Sequence, residues 1–243
     1  DPYKFFGQTV VESIVIEVAV SDVTELSLSN SIGELDSSFP FAPFGPAPYL
    51  YSYLRIQNPL ILTKNLTNLT INLEWSGLPM SIDGFKGYYK EYNTNIENSS
   101  FKAILSTSRI ADQAHYQETD EEFELFDSKD NSESLINLKR IEVNLEKLDL
   151  NNRADSSSNR IAAGNTPLYL ILIQPSMAFG HHVFSDIYST AAMKKSRFRK
   201  RHLPLPKQPY TPILEQLSVN YTSRTKICMI GKNNESSDLN FIH

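Results

Sequence analysis

Apolar residues along this chain recur at every second position more often than at every third or fourth. Leu69, Ile71, Leu73 and Trp75 alternate with Thr70, Asn72, Glu74 and Ser76. On an extended backbone this puts one set on a buried face and the other towards solvent or a second layer, so the segment is predicted as a strand. Ile14, Ile16, Val18 and Val20 form a second alternating set, and Val15 adds apolar character to the opposite face. The block from Leu168 to Ile173 is apolar throughout and lies between Pro167 and Pro175. It is too short for a stable helix, which predicts a central strand covered on both faces. Further strands are expected near Leu217, Val219 and Tyr221, and near Ile227 and Met229.

Helical signals are fewer. Ser185 is placed to cap a helix over 186–200, with Asp186 in its first turn and Lys194, Lys195, Arg197, Arg199 and Lys200 towards its end, the order favoured by the helix dipole. Phe85, Tyr88, Tyr89 and Tyr92 fall at helical spacing and predict one or two turns with an aromatic face. Between Leu138 and Leu150 both periods are present. Ile141, Val143 and Leu145 alternate, whereas Leu138, Ile141, Leu145 and Leu148 lie three or four apart; the β-rich surroundings favour a strand. Residues 127–137 and 151–166 are rich in Asp, Asn and Ser, which bond to their own backbone in turns, and both are expected to be long exposed loops. The first marks a boundary between a β lobe at 1–130 and a second at 131–243. The expected fold is mainly β, a two-lobed antiparallel sandwich-like architecture with one or two short helices.

Composition narrows the function classes. The chain has 243 residues, enough to bury a core without disulfides or metal, and its single cysteine, Cys228, cannot form an internal bridge. The histidines, His115, His181, His182, His202 and His243, are scattered and cannot complete a zinc site with it. A net charge of −5 is unlike that of a general nucleic-acid binder. No apolar run approaches a membrane helix, so no direct membrane insertion is expected. The chain starts at Asp1 without a signal-peptide core, and Asp238–His243 reads like a strand being entered. The start reads either as processed or as a piece of something larger, and the other end favours an internal piece of a longer polypeptide.

Candidate chemistry is sparse. Gly231-Lys232 is followed by Asn233 and preceded five positions earlier by Lys226, so it lacks the first glycine and the hydroxyl of a phosphate-binding loop. No nucleophile elbow, paired-histidine zinc motif or dinucleotide turn occurs, and no cofactor, metal or small-molecule substrate is expected. The adjacent rings of His181 and His182 point to opposite faces of an extended chain and are read structurally, one ring packed and the other exposed. Glu118, Asp120, Glu121, Glu122 and Glu124 could supply a carboxylate pair for glycoside cleavage, but so dense a cluster is more often a solvated edge. The run from Lys194 to His202 holds six of the 23 bases and fits electrostatic docking between neighbouring subunits better than nucleic-acid binding, while plain solvation of a helix accounts for it at least as well as either. Asn-x-Ser/Thr triplets at Asn65, Asn68, Asn98, Asn220 and Asn234 follow from the abundance of those residues, and no glycosylation is inferred.

The least ordinary stretch is Phe39-Pro40-Phe41-Ala42-Pro43-Phe44-Gly45-Pro46-Ala47-Pro48. Four prolines fix φ and remove donors while three phenylalanines supply apolar area, so it is a stiff strap that must lie on something. It is followed by Tyr53-Leu54-Arg55-Ile56-Gln57-Asn58, Lys64-Asn65-Leu66, Leu73-Glu74-Trp75-Ser76-Gly77-Leu78-Pro79 and Tyr88-Tyr89-Lys90-Glu91-Tyr92. Then come Asn98-Ser99-Ser100-Phe101, Ala178-Phe179-Gly180-His181, Pro209-Tyr210-Thr211-Pro212 and Leu217-Ser218-Val219-Asn220-Tyr221.

This ordered series, spanning about residues 5 to 225, resembles the baseplate wedge, or baseplate J-like, proteins of phage-tail-like contractile injection systems of bacteria. The resemblance implies a structural subunit without catalytic residues, binding other baseplate and wedge subunits as a homo- or hetero-oligomer. It also implies assembly in the cytoplasm of a particle that is released or membrane-attached. An interface role is implied for Phe41, Phe44, Pro46, Phe179, His181 and Tyr210, and electrostatic docking suggests Arg197 and Arg199. The alternative is a carbohydrate-binding or adhesin-like sandwich using Trp75 and tyrosines as a platform, which burial of Trp75 would disable. A β-rich glycosidase would need a carboxylate pair in a cleft.

Overall fold

The computed structural model describes residues 13–58, 61, 65–92, 95–107, 122–129, 132–148, 167–173, 179–197 and 203–228. The strands in chain order are β1 (Ser13–Val23), β2 (Ser27–Asn30), β3 (Glu34–Leu35), β4 (Tyr53–Gln57), β5 (Leu66–Ser76), β6 (Lys102–Ser106), β7 (Glu122–Glu124), β8 (Asp127–Ser128), β9 (Leu135–Ile136), β10 (Leu138–Glu142), β11 (Leu168–Leu172) and β12 (Ile213–Cys228). Helix α1 spans Gly84–Tyr88 and α2 spans Phe184–Arg197; short 3-10 turns lie at Lys90–Tyr92 and Asn98–Ser100.

One sheet has the order β1-β12-β5-β10 and the other β3-β2-β4-β11-β6-β7, while β8 and β9 form a small ladder of their own. Every ladder among the described residues is antiparallel. The fold is therefore mainly β and sandwich-like, as the period-two pattern predicts. Each large sheet takes strands from both sides of residue 130.

The alternating set of β5 does what its pattern requires. Leu69, Ile71, Leu73 and Trp75 are buried, and they share one core with Leu54 and Ile56 of β4 and with Leu168, Leu170 and Leu172 of β11. Each such side chain contributes roughly 1.5–3 kcal/mol by leaving water. Strand β11 sits between β4 and β6 and is covered on both faces, as expected. Its outer cover comes from side chains of the same sheet: Ile171 and Ile104 lie beneath Tyr51, Tyr53 and Tyr169. Tyr53 and Tyr169 meet edge to face at 5.5 Å.

Several expectations are modified. The strands expected near 217–221 and 227–229 are one continuous β12, kept in register on β5 by irregularities at 214/216 and 222/223; Met229 lies outside the described residues. Helix α2 starts ahead of the expected cap at Ser185, because Phe184 is held against the ring of Tyr92 at 6.3 Å and joins the first turn; 198–200 lie outside the described residues. In 138–150 the strand reading holds for the first part, Leu138 of the helical set is exposed, and 149–150 lie outside the described residues. Leu138–Glu142 pairs with β5 as a strand, and a turn over 145–148 then brings Leu145 and Leu148 back to the core edge.

The stretch 127–137, expected to be an exposed loop, folds back on itself. Asp127 and Ser128 pair with Ile136 and Leu135, and Lys139 Nζ meets Asp127 Oδ1 at 2.6 Å. The other expected loop, 151–166, lies outside the described residues. Strand β1 forms as predicted but buries neither face along its first half, because β5 ends at Leu66, opposite Ser223, and leaves β1 and the end of β12 as a two-stranded ribbon.

Candidate functional site

The chain's unusual motifs converge at one end of the sandwich. The convergence begins at α1, whose first residue, Gly84, has φ +52°, a conformation costly for any residue with a Cβ. A Cβ there would also collide with the Asn98 side chain and the Glu133 carbonyl. Asn98 is buried and uses its amide fully. Its Oδ1 accepts from Phe85 N at 2.9 Å, and its Nδ2 donates to Ser128 Oγ at 2.7 Å and Glu133 O at 2.8 Å. This satisfies an early amide of α1 that has no partner within the helix.

With α1 fixed, its aromatic face supplies the centre of a ring cluster. The Phe85 ring lies 4.4 Å from Phe101, 5.0 Å from Phe126 and 5.4 Å from Tyr210, centroid to centroid. Phe101 stacks on Phe179 at 4.7 Å, and Trp75 meets Phe126 at 5.0 Å. Trp75 is only 1% exposed and its Nε1–H donates to Leu125 O. The sugar platform of the alternative reading therefore lacks its main ring.

The tyrosine hydroxyls hold two irregular segments against this cluster. Tyr89 Oη donates to Phe179 O at 2.9 Å and accepts from Tyr210 N at 3.0 Å. Tyr88 donates to Gln208 O, Tyr92 to Lys207 O and Tyr210 to Ser76 O, at 2.9, 2.7 and 3.1 Å. Lys207 Nζ lies 5.0 Å above the Tyr88 ring. The extended run 203–212 contains Pro204, Pro206, Pro209 and Pro212, which cannot donate, so its carbonyls take donors from side chains.

Burial raises all four phenols, Tyr92 to about 12, and so preserves them as donors. Because the folded-state value of Tyr92 lies above its ordinary 10, its contribution is intact below pH 10 and is lost as pH rises towards about 12. Replacing Tyr92 with Phe leaves Lys207 O to water, and a loss of about 0.5–1.5 kcal/mol is expected in denaturant titration.

The strap at 39–48 closes the same end. Phe41 exchanges both backbone bonds with Leu214 at 3.0 and 2.9 Å, Asn30 Nδ2 donates to Ala42 O, and Thr211 Oγ1 donates to Pro46 O at 3.0 Å. His181 Nε2 lies 3.3 Å from Tyr210 O and 3.4 Å from Thr211 Oγ1. Since a carbonyl can only accept, Nε2 carries the proton.

Partial burial holds the His181 pKa below its ordinary 6.5, with the Tyr210 carbonyl opposing and His182 adding to the shift. Above pH 6.5 the ring is neutral in both folded and unfolded chains. Below it the unfolded chain takes up the proton first, so stability falls with pH until the folded-state value is passed. A lower melting temperature at about pH 5.5 than at about pH 7.5 is expected, and His181→Gln should reduce the difference.

The sequence-predicted interface residues divide sharply. Phe41, Phe44, Phe179 and Tyr210 are buried within the chain, their rings packed on its own core; His181 is half-buried and Pro46 exposed. Pro46, Thr211, His181, Tyr210 and Phe179 form one connected series. Arg197 ends α2, and Arg199 lies outside the described residues, as do Glu118, Asp120 and Glu121. Sequence reasoning placed Phe85 and the tyrosines on one helical face but had no signal for Phe126, which follows an acidic run and reads as surface.

Among the described residues no group of three or more His, Cys, Asp or Glu could hold a metal ion, and no helix is long and apolar enough to cross a membrane. No curated protein matches the chain. The family model described as Baseplate protein PVC11-like matches residues 6–229, which covers every segment of the strap, the tyrosine face and the proline run. The chain belongs to this PVC11-like family of baseplate proteins, and its role is a structural one in the baseplate.

Proposed function

We propose that the chain forms part of the baseplate wedge and mediates assembly with neighbouring wedge and baseplate subunits, without catalysis. The observation that carries this reading is the set of apolar side chains exposed around the motif knot. Met80 is 97% and Ile82 81% exposed on the loop between β5 and α1, and Phe39 stands exposed at the start of the strap. That loop is not slack. Gly84 N and Asp83 N both bond to Ser81, and the Ser76 carbonyl accepts from Tyr210. Large apolar groups displayed on a backbone fixed from behind suit a protein contact, because little ordering entropy remains to be lost on docking. The particle is assembled in the cytoplasm on this reading.

The test is incorporation. Met80→Lys with Ile82→Lys leaves the core untouched and is expected to preserve the melting temperature within about 2 °C while cutting recovery in purified baseplates at least tenfold. Normal recovery of the double variant would reject this face as an assembly surface. Absence of the unaltered protein from baseplates would reject the wedge reading itself.

A further inference from the structure

The four-stranded sheet ends in β1 on one side and β10 on the other, and among the described residues nothing pairs with either outer edge. The backbone phase of each edge follows from bonds made on its inner side. Val143 N donates to Leu69 O and Trp75 N to Asn137 O, so Lys139 and Ile141 face β5, and Leu138, Arg140 and Glu142 turn their amides and carbonyls outward. Arg224 N donates to Asn65 O, so Arg224 faces away from β1. Its partner Glu17 therefore faces outward, as do Val15 and Ala19. Side chains alternate in the same way. On β10, Ile141 is buried towards the core while Arg140 and Glu142 lie on the opposite face. On β1, Val20 pairs with Tyr221, which packs on the core, so Ile14, Ile16 and Val18 share that face and Val15, Glu17 and Ala19 take the other. A cavity of about 330 Å³ opens along the β10 edge, walled by the four consecutive residues Lys139–Glu142 and by Leu105, Phe123 and Leu148.

We infer that the chain associates head to tail with a second copy, β1 of one molecule adding to β10 of the next. Because the sheet holds four antiparallel strands, β1 and β10 run in opposite directions, and copies in the same orientation meet antiparallel. One alignment satisfies backbone, packing and charge together: Glu17 opposite Arg140, Val15 opposite Glu142 and Ala19 opposite Leu138. These are the outward-facing residues of both strands, so each pair exchanges two hydrogen bonds. Ile16 then lies beside Ile141 on the core side, where its side chain, 48% exposed in the single chain, meets the mouth of the cavity. On the outer face the row Arg224, Glu17, Arg140 alternates in sign, and Lys226 and Glu142 stand on either side of Val15. Lys139, beside Val18, keeps its own acid, Asp127, at 2.6 Å, and Asp22 lies beyond the paired positions. Sliding two residues one way sets Glu17 against Glu142; sliding the other way sets Lys226 and Arg140 around Val15. A pair of β1 strands would leave the β10 edge and its cavity open. The contact is heterologous, of the kind that builds rings or filaments, and it does not depend on the wedge reading.

Two cysteine variants test the alignment. Glu17→Cys and Arg140→Cys chains, each in a Cys228→Ser background, are mixed under mild oxidation. A disulfide is expected between the two variants, since the Cα atoms of such a pair lie about 5.5 Å apart, and none within either variant alone. Sedimentation of the unaltered chain should show self-association with a Kd below about 0.1 mM. Glu17→Arg is expected to weaken it at least tenfold while the melting temperature stays within about 2 °C, and adding Arg140→Glu should restore it. A chain still monomeric at about 0.1 mM, a disulfide formed by Glu17→Cys alone, or undiminished association of Glu17→Arg would each overturn the inference. Because these measurements use the chain by itself, each such result leaves the baseplate reading standing.

Discussion

Phe85→Ala is expected to lower stability by about 3–5 kcal/mol. The ring is fully buried and touches Phe101, Phe126, Tyr89 and Tyr210, so its removal opens a cavity among neighbours that are themselves large and fixed. Relaxation into the space is limited, because α1 cannot slide inward: Gly84 already abuts Asn98 and the Glu133 carbonyl. For a chain of this length the loss corresponds to a drop of about 6–20 °C in melting temperature. A change below about 1 kcal/mol in denaturant titration would mean that the aromatic cluster is not packed as described.

Tyr89→Phe should be the next most damaging change, at about 2–4 kcal/mol, although it removes only one oxygen. That oxygen serves two buried backbone groups at once, accepting from Tyr210 N and donating to Phe179 O. Deleting it leaves a donor and an acceptor without partners in a site closed to water, at roughly 1–3 kcal/mol each. The contrast with Tyr92→Phe is the diagnostic feature, since the carbonyl orphaned there is on Lys207, which is exposed. Equal effects for the two variants, measured by denaturant titration, would contradict the burial difference. Tyr89→Phe should also loosen the end of the sandwich from which Met80 and Ile82 project, and so weaken assembly as well as folding.

The strands were readable because alternation and burial have a common cause. A strand half-covered by another layer must be apolar on one side, and β5 shows this at Leu69, Ile71, Leu73 and Trp75. β1 shows the limit of that logic. Its alternation is as clean, yet the side chains stay exposed, because no described residue covers them. The candidate interface residues fared similarly. A phenylalanine in a proline strap must pack on something, but local sequence does not say whether the partner belongs to the same chain. For Phe41 and Phe44 it does.

The sequence by itself determined the antiparallel β class, the central place of Leu168–Leu172, the short aromatic helix and, through the order of its motifs, the baseplate family. All of these depend on spacing along the backbone or on ordered motifs. Only the tertiary structure decided that residues 39–48, 88–92, 179–181 and 207–212 meet at one end of the sandwich. Their contacts span up to 165 positions and are made by hydroxyls reaching backbone carbonyls outside the strand ladders. A hydrogen bond of that kind leaves no period in the sequence, because it is fixed by where two distant segments are carried by the sheets between them.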